Sequence, residues 1–274
     1  MKRALVLGGG GVTGVAWELG LLAGLAGNGV DLTDAGSVIG TSAGSVVGTR
    51  ITTGTLDAAY ADQLRPPDGE LPARLGPTTL IKLGVMLARP GDQASKWRKL
   101  GAAAAKAHPE GPEARREVIR SRIGDPAWPE HDLRITAVDT DHGEFVVFDA
   151  SSGVSLLDAV TASCAVPLVW PPVPIGGTTY VDGGIRSPAN ADLAQGADVV
   201  VVLAPGTQTV SREHAIGRQL ERTGAGRTLV VSPDPEALAQ MGANVLDPAH
   251  RRASALTGMR QGLALASEVA EVWG

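Results

Sequence analysis

Residues 4–25, ALVLGGGGVTGVAWELGLLAGL, and residues 37–44, SVIGTSAG, decide the architecture of this chain. The apolar run 4–7 ends in glycines and predicts a buried strand. Beyond the glycines, leucines and valines recur at helical spacing, so a helix follows the loop. The run 37–39 is a second short strand that leads through GTSAG into another helical stretch. Strand, glycine-rich loop, helix, strand, turn and helix is how a doubly wound α/β sheet begins.

The rest of the chain predicts the remaining layers of one domain. Residues 65–130 carry prolines, charges and an alanine-rich tract but no convincing strand, which indicates a helical insertion or cap over the sheet. Helices are expected at 156–163 and 249–272, and strands at 133–138, 144–148, 179–181, 199–203 and 228–232. We therefore predict a single domain, residues 1–274, with a mostly parallel central sheet between helical layers, a three-layer α/β/α fold.

Composition narrows the classes of function. Hydrophobic residues make up 43% of the 274 residues and charged residues 19%, which supports a sizeable core and excludes global disorder. The net charge of −5 provides no overall attraction to nucleic acid, so no nucleic-acid partner is expected. The single cysteine, Cys164, cannot form an internal disulfide, and nothing argues for an oxidising compartment.

The N-terminus has only the outline of a secretory signal. Met1, Lys2 and Arg3 precede an apolar stretch, but glycines and Glu18 interrupt it. A membrane-spanning helix needs roughly 18 apolar residues without charge, and the sequence contains no such run. We expect a cytoplasmic protein.

The pentapeptide GTSAG, residues 40–44, matches the G-x-S-x-G nucleophile elbow. In this motif the serine occupies a strained turn between a strand and a helix, and the glycines let neighbouring backbone approach. The positive end of the helix dipole favours a developing anion there. Ser42 is thus a candidate nucleophile. The alternative is that Ser42 only caps the helix.

The consecutive glycines 8–11 suit an oxyanion hole. Acyl transfer needs backbone N–H groups aimed at the oxyanion, each worth about 3–4 kcal/mol, and side chains would obstruct that approach. The competing interpretation is a dinucleotide loop, because residues 9–14 also satisfy G-x-G-x-x-G. That loop requires an acidic residue at the end of the second strand. Asp31 and Asp34 precede that strand, and the elbow occupies the place of the ribose-binding acid.

A serine nucleophile needs a base, and the histidines are poor candidates. None lies in a glycine-rich strand end, and only two strands precede Ser42, too few for an α/β-hydrolase. All five are best interpreted as surface residues: His108, His131, His142, His214 and His250. Asp182, in YVDGG at 180–184, is the other candidate, although Asp-Gly is also a favoured hairpin turn.

Four motifs in order resemble the patatin-like phospholipases: GGGGVTG, GTSAG, ASCAVP at 162–167 and YVDGG. The resemblance covers residues 4–205 clearly. It implies that Ser42 is the nucleophile, that Asp182 is its only catalytic partner, and that the amides of Gly9, Gly10 and Gly11 form the oxyanion hole. In one departure, Thr13 stands where many relatives have Arg or Lys, which puts contacts to the substrate headgroup in doubt.

The resemblance implies a serine acyl hydrolase, a phospholipase, lysophospholipase or esterase that cleaves lipid esters through an acyl-enzyme. Burial of Asp182 would raise its pKa and make it a better base. No cofactor or metal is expected, because no His/Cys/carboxylate cluster has ligand spacing. The alternative is a non-catalytic lipid-binding or regulatory protein that keeps the fold. The acyl chain, the headgroup, the oligomeric state and the choice between hydrolysis and acyl transfer stay open.

A basic segment lies within the predicted insertion. Residues 89–122 contain nine Lys or Arg against four Asp or Glu. Trp97 is flanked by Lys96, Arg98 and Lys99, a pattern typical of peripheral membrane contact. The alternative is a solvated helix face whose tryptophan packs inward.

Overall fold

The central sheet has eight strands in a computed structural model that describes residues 1–67, 69–71, 73–209 and 211–274. The strands are β1 (Arg3–Leu7), β2 (Ser37–Gly40), β3 (Asp132–Asp139), β4 (Glu144–Phe148), β5 (Val173–Ile175), β6 (Thr178–Asp182), β7 (Val199–Leu203) and β8 (Arg227–Val231). Their order is β5-β6-β3-β2-β1-β7-β8, and β4 pairs with β3 outside this path. Along this order, the neighbouring strands β3, β2, β1, β7 and β8 all pair in parallel. The pairs β3–β4, β3–β6 and β5–β6 are antiparallel.

Strand β3 positions the two candidate catalytic loops. It pairs with β2 in parallel, with Gly40 opposite Ile135, and with β6 antiparallel, with Asp182 opposite Ala137. The last residues of β2 and β6 therefore lie beside positions two residues apart on one strand. This register brings the segment after β2 next to Asp182, although about 140 residues separate them along the chain.

Ten helices cover the sheet in the described part of the chain. They are α1 (Gly11–Gly27), α2 (Ala43–Thr53), α3 (Leu56–Leu64), α4 (Pro77–Ala88), α5 (Gln93–Ala107), α6 (Glu113–Ile123), α7 (Leu156–Ser163), α8 (Ile216–Thr223), α9 (Pro235–Met241) and α10 (Arg251–Trp273). Helices α4 to α6 fill the segment 65–130, where the described residues form no strand. No described helix combines the length and apolarity that spanning a membrane requires.

Alternate residues of the central strands build two cores, one on each face of the sheet. Leu5 and Leu7 of β1 belong to a large cluster with residues of α1, α2, α7 and α10. Ala4 and Val6, which point the other way, pack with Ile216 of α8 and with the 3-10 turn 191–194. The predicted three-layer α/β/α fold with a mostly parallel sheet is confirmed.

Glycines lock the last helix against the first. A Cβ on Gly20 of α1 would overlap the carbonyl oxygen of Ala255 in α10, and one on Gly262 of α10 would overlap that of Leu21. The two helices therefore pack backbone against backbone. The indole N–H of Trp17 also donates to Gln261 Oε1 at 3.0 Å. Helix α10 thus anchors α1, which begins at the glycine loop.

Candidate active site

Ser42 lies at a strained turn between β2 and α2. Its φ of 53° and ψ of −113° fall in a region that non-glycine residues rarely occupy. Two bonds hold the turn: the Ser42 amide donates to Ser163 Oγ at 2.9 Å, and the Gly44 amide to Gly8 O at 2.9 Å. The Ser42 side chain makes no capping hydrogen bond to α2. The alternative that this serine is a simple helix cap is therefore wrong.

Glycine is required at the second glycine position of the elbow. A Cβ on Gly44 would overlap the backbone of Leu7 at the end of β1. This contact presses α2 against β1 and so places the nucleophile turn beside the glycine loop. The supporting hydroxyl of Ser163 was not predicted, because it comes from α7, far away in sequence.

Asp182 is buried at the end of β6 and is only 3% exposed. Its Oδ1 accepts the Gly184 amide at 2.7 Å, and its own amide donates to Ala165 O at 3.0 Å, which ties it to the ASCAVP segment. A 3-10 turn, Gly183–Ile185, follows in place of a hairpin partner. The hairpin-turn alternative is therefore wrong.

Burial controls the ionisation of Asp182. Desolvation raises the pKa of its carboxyl from the ordinary 3.8 to about 6, against the opposing effects of hydrogen bonding with the Ser42 hydroxyl, the Gly184 amide and the Arg115 charge. The carboxyl is therefore mostly ionised at pH 7 yet close to a pKa suited to proton transfer. A carboxylate that interacts with the Ser42 hydroxyl is in the right place to remove its proton.

The glycine loop has a different amide arrangement from the one predicted. The Gly9 amide donates to Pro188 O at 2.8 Å and is already engaged. The Gly10 and Gly11 amides have no acceptor among the described residues. Both positions require glycine, because a Cβ on Gly10 would overlap the Pro205 ring and Gly11 has a φ of +64°. Two amides are therefore free for a ligand, while Gly9 packs against Ser42.

A buried carboxyl supports this loop from below. Glu18 of α1 is fully buried, and its Oε1 accepts the Gly8 amide at 2.9 Å. Desolvation raises the pKa of Glu18 well above its usual range, so the neutral acid is favoured. From the sequence, Glu18 was interpreted only as a break in an apolar stretch. Its position as the sole charge in an apolar helix was the available signal.

One cavity of about 700 Å³ contains both candidate catalytic residues and the glycine loop. Its lining is mostly aliphatic, and the aliphatic side chains from the segment before α4 and from α4 itself are Leu71, Leu75, Leu80, Leu83 and Leu87. The charged residues of the lining are Asp182, Glu70, Arg115 and Arg122. The lining includes no histidine among the described residues. An apolar cavity of this size fits an acyl chain.

None of the five histidines is in the lining of this cavity among the described residues, and three of them have partners elsewhere. His142 Nδ1 lies 2.8 Å from Asp139 Oδ2, and His250 Nδ1 lies 2.8 Å from Gln240 O. His108 pairs with Glu110 on the surface of the insertion. These contacts agree with the interpretation of the histidines as residues outside the site.

The dinucleotide alternative lacks its acidic residue. Asp34 pairs with Arg3 at 2.9 Å, at the start of β1, whereas the glycine loop follows the opposite end of that strand. Asp34 Oδ1 also accepts a hydrogen bond from the Trp273 indole N–H at 3.1 Å. A ribose bound at the glycine loop would be out of its reach.

Trp97 does not face solvent. It is 5% exposed and packs with Val138 and Val181. The prediction that its indole contacts lipid headgroups is therefore wrong, and the alternative of an inward-packed tryptophan on a solvated helix face is correct. The exposed apolar side chains of the insertion lie on α4, where Leu80, Ile81 and Val85 are each more than half exposed.

A family model described as patatin-like phospholipase matches residues 5–194. This is more than half of the chain, and the chain belongs to the patatin-like phospholipase family, a class of lipid-ester hydrolases. The resemblance inferred from the four motifs is confirmed. A comparison with curated proteins gives no match.

Two solved structures are similar at low sequence identity. VipD from Legionella pneumophila aligns with a TM-score of 0.47 and 15% identity over 97% of this chain and 67% of that chain. ExoU, solved with SpcU from Pseudomonas aeruginosa, aligns with a TM-score of 0.38 and 18% identity over 96% of this chain and 53% of that chain. The chain thus spans about half the length of ExoU.

Proposed function

We propose that this chain is a serine acyl hydrolase that cleaves a lipid carboxylic ester through a Ser42–Asp182 dyad. One observation carries the proposal: a strained serine and a buried carboxyl interact in the lining of an apolar cavity that also contains two unengaged backbone amides. A nucleophile, a base and oxyanion donors are the parts that acyl transfer needs.

The reaction has two halves. Asp182 accepts the Ser42 proton as Oγ attacks the ester carbonyl, and the amides of Gly10 and Gly11 stabilise the oxyanion. The tetrahedral intermediate collapses, the protonated Asp182 donates its proton to the leaving alcohol, and the acyl group stays on Ser42. Water then gives a proton to Asp182 and attacks the acyl-enzyme. The second tetrahedral intermediate releases the fatty acid as Asp182 returns the proton to Ser42 Oγ, which restores both residues. A second alcohol in place of water would give acyl transfer.

The non-catalytic alternative must account for two unfavourable features. A positive φ at a serine and a desolvated carboxylate both cost stability, and lipid binding requires neither. Such features are typical of active sites. They favour an enzyme.

A labelling experiment tests the proposal. A fluorophosphonate probe should label the wild-type protein and the Ser151→Ala control, whose serine is exposed, and should not label Ser42→Ala. Hydrolysis of short- and long-chain esters should be lost in Ser42→Ala and Asp182→Asn. Absence of labelling in the folded wild-type protein would favour the binding protein, and full activity of Asp182→Asn would place the base elsewhere.

We also propose that α4 mediates peripheral contact with lipid aggregates. Its exposed face carries Leu80, Ile81 and Val85 together with Lys82, while Leu83 lines the cavity. Apolar side chains flanked by cations suit the interface between acyl chains and anionic headgroups. Lipid would then reach Ser42 without crossing water.

A further inference from the structure

Arg115 is a buried cation without a partner. It extends from α6 into the lining of the catalytic cavity and is 6% exposed. Its guanidinium donates no hydrogen bond and forms no ion pair within the described residues, and its Nε is fully enclosed. A buried charge in a folded protein normally has a partner, because an uncompensated one costs several kcal/mol.

Two acids, Glu70 and Asp182, lie near Arg115, and neither forms a hydrogen bond or an ion pair with it. Glu70 accepts two bonds from Arg122, at 2.5 and 3.2 Å, and lies 4.0 Å from Arg251. Its carboxylate is therefore shared by two other arginines. Desolvation and the nearby Arg122 charge lower the pKa of Arg115 to about 10, so Arg115 is still protonated at neutral pH. The cavity lining thus holds two arginines, Arg115 and Arg122, and two acids, Glu70 and Asp182. Of the two arginines, Arg115 is the one that forms no ion pair among the described residues.

The guanidinium is held in a fixed orientation. Its carbon lies 4.2 Å from the ring centroid of Trp170, in a cation–π stack. A stacked guanidinium keeps its donor edge free, and that planar fork matches the oxygens of a phosphate. Ring and guanidinium together form a preorganised site for an anion. The Asp182 carboxyl is near enough to feel the Arg115 charge, but no described carboxylate forms a hydrogen bond or ion pair with Arg115.

We infer that Arg115 binds the phosphate of a phospholipid substrate whose ester carbonyl lies at Ser42. The inference rests on the proposed function and adds to it the residue that binds the phosphate of the substrate. Arg115, Ser42 and the leucines of the α4 segment line the same cavity. In a glycerophospholipid only a few bonds separate the phosphate from the ester. One end of the cavity would therefore take the acyl chain and the other the charged headgroup.

A fatty-acid carboxylate is the other anion that a guanidinium would bind. The carboxylate of a released fatty acid, however, forms at Ser42 and faces the Gly10 and Gly11 amides. It has no reason to move to Arg115. A neutral ester leaves the guanidinium without a partner, and a buried site built for a charged group discriminates against a ligand that lacks it.

The test compares two short-chain esters with the same acyl groups, dihexanoyl phosphatidylcholine and dihexanoylglycerol, both used as monomers. Arg115→Met keeps the apolar stem but removes the charge. We expect it to lose about 10- to 100-fold more kcat/KM on the phospholipid than on dihexanoylglycerol, mainly through KM. Arg120→Met, on the same helix and paired at the surface with Glu117, should match wild type on both. Arg115→Lys should recover part of the difference.

Equal losses on the two esters would overturn the inference, because they would mean that Arg115 acts only on Asp182 or on the fold. A wild-type preference for dihexanoylglycerol would also overturn it while leaving the proposed function intact. If neither ester is cleaved and the fluorophosphonate probe does not label Ser42, the proposed function fails first.

A measurement on the wild-type protein keeps the inference testable if Arg115→Met does not fold. The 1-hexyl ether of glycerol 3-phosphate should inhibit ester hydrolysis competitively at a concentration at least about tenfold lower than 1-hexyl glyceryl ether does. Equal inhibition by the two ethers would refute a phosphate subsite. Stronger inhibition by hexanoate than by the phosphate ether would reassign the site to a carboxylate.

Discussion

Replacing Asp182 by Asn should have opposite effects on activity and on stability. Asn keeps the shape of the side chain and an oxygen that can accept the Gly184 amide, which lies 2.7 Å from Oδ1. It removes the ability to accept the Ser42 proton. Loss of a general base costs about 10²- to 10⁴-fold in rate. We therefore expect kcat/KM to fall by at least about 10²-fold.

The stability effect follows from the pKa of Asp182. Its folded-state value of about 6 exceeds the ordinary 3.8, so the folded protein favours the protonated acid. Below pH 3.8 this carboxyl is protonated in both the folded and the unfolded chain, and its ionisation costs no stability. As the pH rises from 3.8 to about 6, its ionisation in the unfolded chain lowers the free energy of unfolding of the wild type by about 3 kcal/mol. This loss of stability persists above pH 6. Asn avoids this cost.

The assay is thermal unfolding of both proteins across the pH range, together with ester hydrolysis by the wild type. At pH 8 the Asn variant should unfold roughly 5–10 °C above the wild type, and near pH 4 the difference should vanish. Wild-type kcat/KM should fall about tenfold per pH unit below a pKa of about 6. Equal melting temperatures at every pH would contradict the raised pKa of Asp182, and an active Asn variant would contradict its role as the base.

Two further predictions concern the glycine loop and α4. Gly10→Ala forces the loop away from the position where its amide is free, so kcat should fall about 10²- to 10³-fold in a p-nitrophenyl ester assay. The control Gly217→Ala, which has open space around its Cα, should match wild type, and a normal kcat in Gly10→Ala would remove this amide from the mechanism. The double variant Ile81→Ser and Val85→Ser should lower the affinity for anionic phosphatidylglycerol vesicles, measured by co-sedimentation, about tenfold or more, because it removes two exposed apolar side chains. Leu238→Ser, which changes an exposed leucine on α9, is the control. Unchanged binding by the double variant would contradict the proposal for α4.

Local periodicity was sufficient for much of the fold. The helix 156–163 and the strands 144–148 and 199–203 were predicted with the bounds that the structure has. Strand β5 and helices α3, α8 and α9 were missed. The strand is only three residues long and the helices nine, eight and seven, so none contains enough turns or alternations to show a clear period.

The order of four short motifs determined the family and named Ser42 and Asp182, because each motif encodes a local backbone geometry that needs particular residues. Which groups come into contact depends on the tertiary structure. It places Asp182 beside the end of β2, engages the Gly9 amide with Pro188, turns Trp97 inward and leaves Arg115 without a partner in the cavity. These contacts join residues far apart in the chain, and their free energy depends on burial and on neighbouring charges that no local pattern records.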